Sequence, residues 1–198
     1  MARKLLVKSF LIILILATAA CGGLRFSQSD PEAKNFHPRR IAVFPMEVWN
    51  HKEVDSRAVV EQIVAGSLVE KKLFANVTDV ESLRKQILAS EELRNVKNEY
   101  FSKLQLLNFS DPALSKKMGE LAKIDAFLLI SVDEWKYSVN GDDKKAQVAM
   151  TMEMYDVSTG KLMWKAAHAI TSDYVLLKPE LPKIARDVAN KMISYMPH

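Results

Sequence analysis

Of 198 residues, 48% are hydrophobic and 26% charged, with six Gly, seven Pro and a single Cys. That balance excludes a disordered chain, a collagen-like repeat and a disulfide framework, and the length suits one domain with its own core. The formal charge of +4 is local: Arg3, Lys4 and Lys8 precede the first apolar run, and without them basic and acidic residues nearly balance. The basic excess therefore belongs to a targeting signal, and no nucleic-acid partner is expected.

Residues 1–20 (MARKLLVKSFLIILILATAA) form a basic stretch, an apolar run from Ser9 to Leu16 and a small-residue ending, the layout of a secretory signal. The apolar run is shorter than the roughly 20 residues that span a bilayer comfortably. The only cysteine, Cys21, follows at once, ahead of Gly22 and Gly23. This arrangement resembles a bacterial lipobox, which implies that Cys21 becomes the amino terminus and its thiol carries lipid. Each buried acyl CH₂ contributes about 0.8 kcal/mol, so several chains anchor a protein durably to a membrane. Gly22 after the cysteine, instead of Asp, implies the periplasmic face of the outer membrane, with the inner membrane as the alternative. With Cys21 committed to lipid, the mature chain has no thiol for a disulfide, a nucleophile or a thiolate metal site.

Residues 21–38 lack apolar periodicity and read as a flexible tether; residues 39–198 read as a single α/β periplasmic domain. Ile41 to Met46 (IAVFPM) is apolar throughout, as in a strand buried on both faces. An Asp55/Ser56 cap opens a helix to about Leu73, with Val59, Val60, Ile63, Val64, Ser67 and Leu68 inward. Phe74 to Val80 is a short strand. Asp79 then caps a helical region with Leu83, Ile87 and Leu88, and a second stripe follows through Leu93, Val96, Tyr100, Leu104 and Leu107. Asp111-Pro112 starts a further helix that ends near Lys123.

Ala126 begins a strand running toward Val139, and Asn140-Gly141 signals a hairpin. The return strand places Val148, Met150, Met152 and Met154 on one face and Ala149, Thr151, Glu153 and Tyr155 on the other. After Ser158-Thr159-Gly160, a last strand aligns Leu162, Trp164, Ala166, His168 and Ile170. A terminal helix points Ile184, Val188, Met192 and Tyr195 inward. The expected class is α/β, a mixed β-sheet of about five strands covered by helices in the order β-α-β-α-α-α-β-β-β-α.

Val157-Ser158-Thr159-Gly160-Lys161 lacks the first glycine of a phosphate loop and joins two antiparallel strands, so it reads as a turn. The methionine alternation has the soft donors of a Cu(I) site, but equally suits a buried sheet face, and core packing is the expectation. His37, His51, His168 and His198 are scattered without zinc spacing, and His168 reads as a core or rim residue. No catalytic residue, metal site or cofactor is expected. The loop after the first strand carries Trp49, Asn50 and His51. These three, with Tyr100 in the 90–120 helical segment, are the candidate partner contacts. The alternative for Trp49 is a side chain folded back over the sheet edge.

Three segments then carry a resemblance. Arg40 to Asn50 (RIAVFPMEVWN), Ile124 to Trp135 (IDAFLLISVDEW) and Asp156 to Trp164 (DVSTGKLMW) occur in the order of comparable motifs in one superfamily. It includes the curli-channel lipoprotein CsgG, the penicillin-binding-protein activator LpoB and the TolB amino-terminal domain, and the chain is similar to a related envelope lipoprotein family. The resemblance implies an accessory envelope protein that contacts an envelope protein partner and is able to form homo-oligomers. An oligomeric outer-membrane secretion component is the alternative, and a copper-binding protein or enzyme ranks last.

Overall fold

A computed structural model describes residues 24–46 and 56–198. Cys21, Trp49, Asn50 and His51, with the signal segment, lie outside the described residues. Strands run over Phe26–Ser29 (β1), Arg40–Val43 (β2), Asn76–Thr78 (β3), Ala126–Asn140 (β4), Asp143–Asp156 (β5) and Leu162–Asp173 (β6). Helices run over Arg57–Lys71 (α1), Val80–Ala89 (α2), Glu91–Leu107 (α3), Pro112–Ala122 (α4) and Leu181–Ile193 (α5), with a 3-10 turn at Pro31–Asn35. The six strands form one mixed sheet ordered β1-β6-β5-β4-β2-β3. β2 pairs in parallel with β3 and β4, and β4, β5, β6 and β1 pair antiparallel in turn. The α/β expectation holds, with one strand more than expected.

The sheet is covered on both faces because its strands are apolar on both. Leu128, Ile130, Val132, Met150, Met152, Met154 and Trp164 face α1 and α5, which meet them with Val60, Val64, Leu68, Ile184, Val188 and Met192. The methionine triplet is therefore core, each residue fully buried, and burial of such a side chain is worth about 1.5–3 kcal/mol. The opposite face gathers Phe44, Tyr100, Phe101, Phe127 and Tyr155 beneath α2, α3 and α4. Phe127 stacks on Tyr155 at 5.0 Å, and Tyr100 meets Phe127 edge-on at 5.7 Å. Tyr100 was expected to contact a partner; it is instead fully buried in this aromatic layer.

Helix starts follow local chemistry. Asp79 accepts from the Ser82 N–H, Ser90 from the Leu93 N–H, and Asp111 from the Ala113 and Leu114 N–H groups. Ser56 precedes α1 without a side-chain capping bond. α3 closes on Asn108 in a left-handed conformation, which leaves Leu107 exposed where the stripe placed it inward. Tyr195 is half-exposed because α5 ends at Ile193 and the chain turns. The β4–β5 hairpin closes on Gly141 at φ +60, so glycine sits at the first central position of the two-residue turn.

The largest correction concerns the tether. β1 pairs Phe26 with Ala167 through Ser29 with Trp164, and Trp164 Nε1 donates to Ser27 Oγ at 3.1 Å. Asp30 N–H donates to Met163 O, and Lys161 pairs with Glu32 at 2.7 Å. Residues from about 25 onward are thus part of the domain.

Candidate functional site

The three motifs that carry the superfamily resemblance meet at one corner of the sheet. Asp125 accepts from the Arg39 and Arg40 N–H groups and from the Arg40 guanidinium, which ties the start of β2 to the start of β4. The Arg40 hydrogen bond holds the Asp125 carboxyl below its ordinary value, against a smaller opposing effect of burial. Val157 N–H donates to Asp125 O, so the β5–β6 turn docks on the same residue. Within that turn the Asp156 carboxylate accepts from Ser158 N–H, Ser158 Oγ and Thr159 Oγ1. Gly160 takes φ +71, and its carbonyl accepts from Ser110 Oγ. The serine and threonine donors that a phosphate would need are spent on Asp156, and the segment is a structural turn. These motifs specify the fold.

Several buried polar groups have partners in the core, while the buried Ser56 hydroxyl has none. Tyr155 Oη donates to Glu153 Oε2 at 3.0 Å, and Lys165 holds the other carboxylate oxygen at 2.6 Å. Burial, reinforced by Glu153, pushes the Tyr155 phenol up. Burial likewise pushes Tyr100 up to about 12, while its hydroxyl lies 2.7 Å from Ser110 Oγ. Both phenols stay protonated at neutral pH and serve as hydrogen-bonding groups, not bases. His168 is lowered by burial and by Lys191, and its Nδ1 accepts from Arg25 N–H at 3.3 Å, as a neutral imidazole can. Among the described residues, no three His, Cys, Asp or Glu side chains gather closely enough to hold a metal.

What the surface offers is contact. Beside the edge strand β3, a groove of about 730 Å³ runs between α1 and the start of α2. Ala58, Ala65 and Gly66 of α1 line one wall, and Val77 and Val80 the other. At its floor Glu61, almost fully buried, accepts from Met46 N–H at 2.7 Å and from Arg84 at 3.2 Å. Glu61 thereby joins the end of the β2 segment to α1 and α2. Small residues lower the helix surface there, and among the described residues no strand lies beside the outer edge of β3. An extended protein segment can add to such an edge through main-chain hydrogen bonds. Val69 stands at the rim, 59% exposed.

The sequence does not reveal this groove, because the small residues of α1 mark a recess only once β3 lies beside them. Trp49, Asn50 and His51 follow Met46 in the chain and lie outside the described residues. Tyr100 belongs to the opposite face and is not brought together with them. α3 and α4, which make up the 90–120 segment, form the second core layer.

No family model matches the chain, and no curated protein does. Among solved structures it is similar to the PelC dodecamer from Paraburkholderia phytofirmans. That match has 20% identity and a TM-score of 0.57, over 87% of this chain and 95% of that one. A PelC variant dodecamer from the same organism gives a TM-score of 0.55 at 20% identity, over 87% and 98% of the two chains. Lipoprotein GNA1162 from Neisseria meningitidis gives 0.47 at 18% identity, over 79% and 99%. At these identities the PelC likeness is one of fold.

Proposed function

We propose that the chain is a lipid-anchored periplasmic accessory protein that supports a cell-envelope complex by binding protein, and that it does so as a homo-oligomer. The observation that carries this reading is the groove between α1 and the edge strand β3: it has contact geometry above Glu61, which also binds the Met46 N–H. The lipobox-like signal at Cys21 supports the membrane anchor, and the motif order supports kinship with the envelope superfamily that includes CsgG, LpoB and the TolB amino-terminal domain. The fold likeness to a dodecamer supports self-association. The reading assigns no catalytic turnover and no cofactor.

A secretion component of the outer membrane is the second reading, favoured by the same likeness to a dodecamer. A channel wall would need additional membrane hairpins with strands of about 9–11 alternating residues. Residues 91–122, the insertion that would have to provide one, form α3 and α4.

Light scattering on the processed protein, extracted from membranes in mild detergent, tests self-association. A mass several times that of one chain supports the proposal; a monomer at every concentration contradicts the oligomeric part. Cys21→Ser should release the protein from membranes or leave the precursor uncleaved. Continued membrane fractionation after signal removal, or wild type that never incorporates labelled palmitate, contradicts the anchor.

A further inference from the structure

The end of the sheet away from the motif corner carries an unusual apolar surface. Val175, Leu176 and Leu177, which follow β6, are 78%, 93% and 88% exposed, and Val139 at the tip of β4 is 64% exposed. The loop is not loose. Tyr174 N–H donates to Lys144 O, Lys144 Nζ reaches Val175 O at 3.4 Å, and Tyr137 Oη donates to Pro179 O at 2.7 Å. Lys178 Nζ sits 3.5 Å over the Tyr137 ring, which meets Tyr174 edge-on. The base is therefore pinned while the aliphatic side chains stand in water, where burial would be favourable.

The direction of the amino terminus supplies the occupant. β1 runs antiparallel to β6, with Phe26 opposite Ala167 and Arg25 N–H bonded to His168. Followed backward, the chain enters β1 from the side of Ala169 to Asp173, which is the side of the Val175–Leu177 loop. Cys21 lies three residue steps before Leu24, a reach of at most about 11 Å. The β5–β6 turn at Gly160 is eight residues down β6 from His168, about 26 Å at strand rise, and lies beyond that reach. An acyl chain on Cys21 thus holds the bilayer near the hairpin end of the sheet and away from the motif corner.

We propose that Val175, Leu176, Leu177 and Val139 form a second membrane contact, seated in the lipid surface that the Cys21 anchor enters. The inference rests on the anchor reading for its orientation. Tyr137 and Tyr174 lie just behind the apolar tip, at the depth where aromatic rings favour the headgroup region. Lysines and carboxylates alternate around it, Lys136 with Glu134 and Lys145 with Asp143, so apolar insertion and not a cationic field provides the hold. The two contacts together fix how the domain stands on the membrane and point the motif corner into the periplasm.

Cys21 is the only cysteine, so an acylated chain leaves any introduced thiol as the sole labelling site. The full-length processed protein carrying Leu176→Cys is labelled with an environment-sensitive fluorophore and reconstituted into phosphatidylethanolamine–phosphatidylglycerol vesicles containing nitroxide-labelled lipid. Leu107→Cys, at the exposed end of α3 beside the Ser110–Gly160 contact, is the comparison. The mass of the amino-terminal peptide reports acylation in the same sample. The expected result is an acylated protein whose label at 176 is quenched by the lipid nitroxide several times more strongly than the label at 107. Acylated protein with equal, weak quenching at both positions overturns the proposal and leaves the anchor standing. Shielding of the 176 label from aqueous iodide without quenching by lipid also overturns it, in favour of a second copy of the chain. A peptide without lipid sinks the anchor reading, and the proposal with it.

Discussion

Two glycines on helices predict opposite responses to the same substitution. A Cβ at Gly119 of α4 would lie 2.5 Å from Val157 Cγ2, 2.7 Å from Val157 Cβ and 3.2 Å from Ile124 O. Those are a stiff branched side chain and a backbone atom, so α4 must shift away from the sheet. Overpacking of this kind costs about 1–3 kcal/mol, and the rigidity of Val157 favours the upper part of that range. Alanine recovers about 0.8–1 kcal/mol of helix propensity, leaving Gly119→Ala destabilised by about 1–2 kcal/mol. At Gly66 of α1 a Cβ meets nothing within 4 Å, and Gly66→Ala should stabilise by about 0.5–1 kcal/mol. For a domain this size each kcal/mol moves Tm by about 2–4 °C, so thermal melts followed by circular dichroism resolve both signs. Val157→Ala added to Gly119→Ala should restore part of the loss. Shifts of the same sign in the two single variants, or no rescue by Val157→Ala, would refute the close packing of α4 on the β5–β6 turn.

Met152→Leu should cost under about 1.5 kcal/mol and Met152→Ala about 2–5 kcal/mol in urea titrations, as for a fully buried core side chain; tight stoichiometric Cu(I) binding lost in a triple Leu variant would overturn the core role. Because Arg40 depresses the Asp125 carboxyl in the folded state, its contribution is fully present above about pH 4 and is lost as pH falls through the depressed value. Asp125→Asn should therefore flatten the acid side of the stability profile, and an unchanged slope between wild type and variant would contradict the Arg40–Asp125 tie. Tyr100→Phe removes the hydroxyl beside Ser110 and should cost about 0.5–1.5 kcal/mol while leaving partner recovery from envelopes undiminished. Loss of partner recovery in a Tyr100→Phe variant that folds would return Tyr100 to the contact surface.

The hairpin strands and α5 were legible because their apolar residues alternate or recur cleanly: Met150, Met152 and Met154 at period two, Ile184, Val188 and Met192 at helical spacing. Asp111-Pro112 was legible through capping chemistry alone. β1 was not, since Phe26-Ser27-Gln28-Ser29 is exposed at every position and has no buried face to imprint a period. Its place comes from pairing with β6 and from Trp164 reaching Ser27, which are long-range facts. Tyr100 fell correctly on the α3 stripe, yet it was also named as a partner contact; Ser110, ten residues away, satisfies its hydroxyl inside the core. The groove at β3 was missed because a wall of Ala58, Ala65 and Gly66 becomes a recess only when an open sheet edge lies beside it.

The central claim is that this domain acts by holding another protein chain at the α1–β3 groove. A photo-reactive amino acid in place of Val69, exposed at the groove rim, tests it in intact envelopes, with the same residue in place of Lys34 on the 3-10 turn as the comparison. A discrete adduct from position 69, formed with a second copy or with one envelope protein and lost when Gly66 is replaced by a bulky residue in a variant that still folds, is the predicted result. Adducts absent at position 69, or equal in pattern to those from position 34, would contradict the claim.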